Sequence, residues 1–162
     1  MFDPTKVNND LNMLAPFFRL QLETALKEVH AAGYDLFVFE GWRSPARQSY
    51  LYEQGRTRDG KIVTNSKPWT SYHQFSLACD LVYKVNNRWS WSGDYDKPAE
   101  IMKRYGFEWG GDFKSFKDIP HFQITAGIST LEAKAIMDQQ GLPALWILIE
   151  DRWNERKKSV LS

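Results

Sequence analysis

The chain has 162 residues, 43% of them hydrophobic and 15% aromatic, enough apolar side chain for one domain with its own core. Its charges nearly cancel to a formal +1, which leaves no global electrostatic footprint for nucleic acid. The single cysteine, Cys79, excludes an internal disulfide framework, and the longest apolar run, LWILI at 145–149, falls far short of the ~20 residues of a membrane span.

The opening MFDPTKVNNDLNML has neither the basic nor the apolar region of a signal peptide, so the chain is expected to be made soluble and without an export signal of its own. From Ala15 to Ala32 the spacing of Leu22, Ala25, Leu26 and Val29 predicts a helix, with Pro16 in its first turn and Gly33 as its stop. His30, near its end, reads as a helix-dipole contact or a surface residue rather than a ligand. YDLFVFEGW then reads as a buried strand. Ser44-Pro45 starts a helix running to about Gln54 and closed by Gly55. The polar stretch 55–70, GRTRDGKIVTNSKPWT, is a loop, and loops this long are often functional.

ACDLVYKV predicts a strand that Asn86-Asn87 turns back into RWSW as a hairpin. A short helix follows from Lys97 to Tyr105, closed by Gly106. FEWGGDF and the strand candidate HFQIT come next. Ser129 and Glu132 form a capping-box pattern ahead of LEAKAIMDQQ, Gly141 and Pro143 punctuate its end, and a last helix is expected over about 144–159. The order predicts an α+β fold, a small antiparallel sheet with helices packed on one side.

Chemistry concentrates in two segments. SYHQFSLACD, 71–80, ends on a carboxylate crowded by Leu77, Ala78, Leu81 and Val82, and such a group is costly to bury without a partner. GFEWGGDFKSFKDIPHF, 106–122, adds another histidine, with Asp118 three residues before it. His73, Asp80 and His121 make a ligand set suited to catalytic zinc, which keeps an open position for water. Asp118 is then left to take a proton from that water. Arg43, between the predicted strand and the following helix cap, is a candidate to stabilise an oxyanion. Each signal alone is weak. Two of only three histidines falling in this arrangement favours the metal reading.

Ser71, His73, Ala78 and Asp80 match a Ser-x-His-x-x-Gly-x-Ala-x-Asp signature, and Glu108-Trp109-Gly110-Gly111-Asp112-Phe113 with Asp118-Ile119-Pro120-His121-Phe122 resembles a second one. Together with EGWRS, Gln48, Leu51 and Gly55-Arg56, they make residues 8–125 similar to the zinc DD-peptidase and LD-endopeptidase superfamily, peptidase family M15. The resemblance implies zinc on His73, Asp80 and His121, Asp118 as general base and Arg43 polarising the substrate carbonyl. It adds Ser71, Gln48 and Trp109 as weaker substrate-binding candidates. The subgroup it resembles is the phage-endolysin type of L-alanyl-D-glutamate peptidase. That type implies a peptidoglycan stem peptide as substrate, a monomer, and action on the cell wall after holin-type release from the cytoplasm. Two departures stand out: Ser76 where the family has glycine, and Phe113 where many relatives have tryptophan.

The alternatives are a D-alanyl-D-alanine carboxypeptidase or dipeptidase on the same scaffold, and a zinc-containing binding module without catalysis, for which the Hedgehog signalling domain is a precedent. His and carboxylate ligands also accept other divalent metals. Cys79, beside Asp80 on a strand, should face the core as an inert thiol. Trp69, Trp89 and Trp91 are candidates to line a substrate groove, but ordinary core and hairpin packing is favoured for most of them. The division expected is 1–125 as catalytic domain and 126–162 as a helical extension docked on it through Trp146, Ile149 and Trp153. Its basic end, Arg156, Lys157 and Lys158, is open to a weak contact with the anionic envelope.

Overall fold

The computed structural model describes residues 1–161. In chain order it comprises α1 (Pro16–Ala31), β1 (Leu36–Glu40), α2 (Pro45–Glu53), β2 (Ala78–Val85), β3 (Arg88–Ser90), α3 (Asp96–Arg104), β4 (Glu108–Trp109), β5 (His121–Gln123), α4 (Thr130–Gln140) and α5 (Leu142–Leu161). The strands form one antiparallel sheet in the order β1-β2-β5-β4, with β3 hairpinned onto β2. Asn86 and Asn87 both sit at positive φ (49° and 61°), the conformation a tight two-residue hairpin demands.

Side chains alternate between the two faces of a strand, and the register decides what each face carries. Cys79 is opposite Phe122, and Trp109 is opposite Phe122 on the other side. With Leu81, these residues join the hydrophobic core under α1, α3 and α5. α1 contributes Phe18, Leu22, Ala25 and Val29, α3 contributes Ala99 and Met102, and α5 contributes Leu145 and Ile149, all almost fully buried. Each large side chain withdrawn from water in this way contributes about 1.5–3 kcal/mol, and Leu22→Ala alone is expected to cost about 2–5 kcal/mol. The opposite face carries the polar rows: Asp80 opposite His121, and Gln123 between Ala78 and Glu108.

Two expectations change. The strand YDLFVFEGW is not buried throughout. β1 is an edge strand and leaves Phe37 exposed. It also slips register between Val38 and Glu40. That bulge at Phe39 turns Glu40 onto the polar face, directly opposite Asp80. The last helix begins earlier than predicted, at Leu142, because Gly141 at φ 89° lets the chain turn at once. Pro143 then occupies its first turn, where no backbone N–H is needed.

α4 opens with the capping box read from Ser129 and Glu132. α5 lies against the domain: Trp146 donates from Nε1 to the Phe75 carbonyl at 2.8 Å, and Trp153 meets Phe17 with ring centroids 6.5 Å apart. No helix among the described residues is long and apolar enough to cross a membrane. α2 differs from the other helices because its buried residues, Arg47 and Gln48, are polar.

Candidate active site

His73 is delivered by a short 3₁₀ turn, Tyr72–Phe75, capped by Ser71 and closed by Ser76 in the left-handed region (φ 63°, ψ 28°). A glycine, expected here from the resemblance, would take this conformation freely, and serine meets it at a cost of about 1 kcal/mol. The turn brings His73 above β2, while strand pairing sets Asp80 beside His121. One ligand atom from each of the three lies within 4.8 Å of the others.

The hydrogen bonds around this trio fix which ring nitrogens face inward. His73 Nδ1 lies 2.6 Å from the Gly41 carbonyl, so it carries the proton and leaves Nε2 with a lone pair. Gln123 donates its amide to Glu108 at 3.0 Å and so turns its oxygen to His121 Nε2, 2.8 Å away. His121 Nδ1 is then the bare nitrogen. The two inward nitrogens sit 3.3 and 3.4 Å from Asp80 Oδ1, which is buried and has no hydrogen-bond donor. Three lone pairs converging with nothing to donate between them form a cradle for a cation, with its histidines oriented from behind. The residues present fit a divalent metal.

Asp80's other oxygen receives Arg43 Nη2 at 3.0 Å, and the same Nη2 donates to Glu40 at 2.7 Å. Glu40 also accepts from Arg47. Burial opposes the charge on Asp80, but His73 and His121, when protonated in place of a bound cation, together with Arg43 outweigh it and hold its carboxyl well below the usual range. Arg43 is likewise raised against its burial by Asp80 and Glu40. Its Nε is buried without a partner.

Asp118 stands 4.0 Å from His121 Nδ1, with its side chain 41% exposed. Burial and the charge of Asp80 push its pKa up from the ordinary value, toward the range useful to a proton acceptor. Asp118, Arg43, Ser71, His73 and His121 line one cleft of about 450 Å³. The long loop joins them through Thr64, Asn65 and Ser66, and Phe113 lies across the same cleft with its ring 5.9 Å from His121.

Two of the weaker candidates are corrected. Gln48 is fully buried and wholly engaged. Its oxygen accepts from Arg43 and Gln74, both at 3.1 Å, and its amide donates to Ser66 at 2.7 Å. It ties Arg43 to the long loop and cannot meet a substrate. Trp109 is on the core face, because Glu108 before it is on the polar face, and its Nε1 donates to the Ile119 carbonyl at 2.7 Å. It props the segment leading to His121 instead of lining the cleft. His30 is exposed and bonded to the Leu36 carbonyl at 2.6 Å. Cys79 is buried in the core, where burial pushes its thiol well up.

Sequence reasoning missed Glu40, Arg47, Gln123 and Glu108. Glu40 was within reach of the argument used for Asp80, since it too closes an apolar run. Gln123 and Glu108 needed the strand register.

A carboxylate-and-imidazole cation cradle with a spare acid at an open cleft defines a metal-dependent hydrolase. Residues 64–124 match the family model described as D-alanyl-D-alanine carboxypeptidase, of the M15 peptidases. The peptidoglycan L-alanyl-D-glutamate endopeptidase CwlK of Bacillus subtilis (strain 168) is 42% identical over 112 residues, 62% of this chain and 67% of that protein. The L-alanyl-D-glutamate peptidase of Listeria phage A118 is 29% identical over 120 residues, which cover 71% of this chain but 39% of the phage protein. Among solved structures, the LD-carboxypeptidase LdcB superposes with a TM-score of 0.51 at 24% identity, covering 78% of this chain and 71% of that one, a likeness of fold. The chain belongs to the M15 family and is a metallopeptidase.

Proposed function

We propose that the chain is a zinc endopeptidase of the bacterial cell wall that hydrolyses the L-Ala–D-Glu bond of peptidoglycan stem peptides. The observation that carries this reading is the convergence of three lone pairs, from His73 Nε2, Asp80 and His121 Nδ1, beside the free acid Asp118. His73, Asp80 and His121 would hold the zinc, which supplies a Lewis acid to polarise the scissile carbonyl and acidify a water. Asp118 accepts the proton of the attacking water and returns it to the leaving amine. Arg43 spends both Nη2 hydrogens on Glu40 and Asp80 and one Nη1 hydrogen on Gln48, so the second Nη1 hydrogen is the donor left for the carbonyl oxygen as negative charge develops on it. Ser71, at the cleft wall, is a further donor for the substrate backbone.

The endopeptidase is favoured over a carboxypeptidase by charge. A C-terminal carboxylate calls for a dedicated cation. Among the described residues lining this cleft the one lysine or arginine is Arg43, and it is committed to Asp80 and Glu40. Hydroxyls of Thr64, Ser66, Thr70 and Ser115 line the rest and suit a peptide passing through. The names of the relatives, both L-alanyl-D-glutamate peptidases, support the bond. An intact acid at Asp118 speaks against a binding module without turnover. The chain acts as a monomer on the wall. The groove of about 420 Å³ where Lys103, Arg156 and Lys157 surround Trp153 supports a weak contact with anionic envelope.

Digestion of purified peptidoglycan by the zinc-loaded protein, with new amino termini identified by mass spectrometry, tests the reading. New D-glutamate amines are expected. Free D-alanine as the sole product would move the activity to the carboxypeptidase class, and no cleavage would leave a binding module.

A further inference from the structure

On the far side of Arg43 and Asp118, the cleft continues into a second cavity of about 390 Å³ whose walls are Phe39, Leu51, Val63, Trp91 and Pro120. The two lobes share Arg43, Thr64 and Asp118, so one extended ligand passing the candidate catalytic acid would occupy both. Their chemistry differs. The first lobe is lined with hydroxyls, the second with aromatic and aliphatic carbon. Apart from the shared acid Asp118 at its mouth, the charged residues reaching the second lobe, Glu40, Arg43, Arg47 and Asp80, are paired with one another and offer no free charge to a ligand.

Trp91 is 56% exposed and lies outside the hydrophobic core. Phe39 holds it edge to face at 4.9 Å and is itself braced by Trp89 at 5.2 Å. Trp89 has one ring face covered by Lys84 at 4.6 Å and does not line the cavity. An indole fixed by another aromatic ring, open to a cleft and uninvolved in the core, is a ligand surface. Its natural complement is a pyranose ring. A sugar presents a flat patch of C–H bonds to an aromatic face and keeps its hydroxyls at the rim, and it carries no charge that the lobe would have to answer.

Resting on the endopeptidase reading above, we propose that the Phe39–Trp91 lobe is a saccharide subsite that receives the N-acetylmuramyl residue at the amino end of the stem peptide. The hydroxyl-lined lobe then takes the D-glutamate side. The reach agrees. Only L-alanine and the lactyl group separate the scissile bond from the sugar ring, about 7 Å at ~3.5 Å per extended unit.

The test compares kcat/KM on an N-acetylmuramyl stem peptide and on the same peptide carrying only an N-acetyl group. The wild-type protein is expected to favour the muramyl substrate about tenfold, the size of one good stacking contact. In Trp91→Ala the ratio should fall to near one, and Trp91→Phe should restore most of it. A wild-type ratio of one, or a ratio retained by Trp91→Ala, would overturn the subsite and leave the peptidase reading standing. Cleavage of neither substrate would remove the peptidase reading and the subsite with it.

Discussion

Glu40 and Asp80 are carboxylates placed directly opposite each other on adjacent strands, an arrangement that is repulsive on its own. Arg43 makes it tenable by bridging them at 2.7 and 3.0 Å, and Arg47 completes a neutral group of two acids and two guanidinium ions. Glu40→Gln keeps the shape and removes one negative charge at a site 2% exposed. Breaking a buried pair from one side costs about 3–5 kcal/mol. The lower end applies, because Arg43 keeps Asp80 and Gln48, and Arg47 keeps the Pro4 carbonyl at 3.0 Å. About 3 kcal/mol is expected, a fall in Tm of about 6–12 °C for a domain of this size. Urea unfolding followed by circular dichroism should show a lower midpoint with an unchanged slope. Glu23→Gln, at the partly exposed Arg19–Glu23 pair, is the control and should cost less than about 1 kcal/mol. A loss below about 1 kcal/mol for Glu40→Gln would refute the view that this acid neutralises the buried arginines.

Three further outcomes are expected. Gln123→Ala removes the acceptor that orients His121, and competition with a chromogenic chelator should show metal affinity lower by about 10- to 100-fold. Ser76→Gly relieves the left-handed strain at φ 63° but loosens the unfolded chain, so a net gain of about 0.5 kcal/mol is expected in urea unfolding. Trp146→Phe deletes the hydrogen bond to the Phe75 carbonyl while keeping the ring, and should destabilise by about 1 kcal/mol in the same assay.

The local elements were legible because their signals are local. Asn86-Asn87, the Ser129 capping box and the Gly33 stop each act within a few residues, and each is found where the sequence put it. The trio His73, Asp80 and His121 was legible because histidine is scarce in this chain and a carboxylate in an apolar run demands a partner. What failed depended on tertiary contacts. Trp109 was assigned to the cleft by its place in a motif, but alternation from Glu108 turns it to the core. Gln48 was assigned to the substrate, yet its amide is used up by Arg43, Gln74 and Ser66. These partners lie 5, 26 and 18 residues away. Glu40 reaches the site only through the bulge at Phe39, and no pattern in LFVFE announces that slip.

The central claim is that the trio holds the metal while Asp118 moves the proton, and the zinc content of the purified proteins, read beside their hydrolysis of peptidoglycan, tests that division of labour most directly. One zinc per chain is expected in the wild type and in Asp118→Asn, which should nevertheless hydrolyse nothing. Asp80→Ala should lose both the zinc and the activity. Full zinc in Asp80→Ala, or hydrolysis by Asp118→Asn at the wild-type rate, would contradict the account.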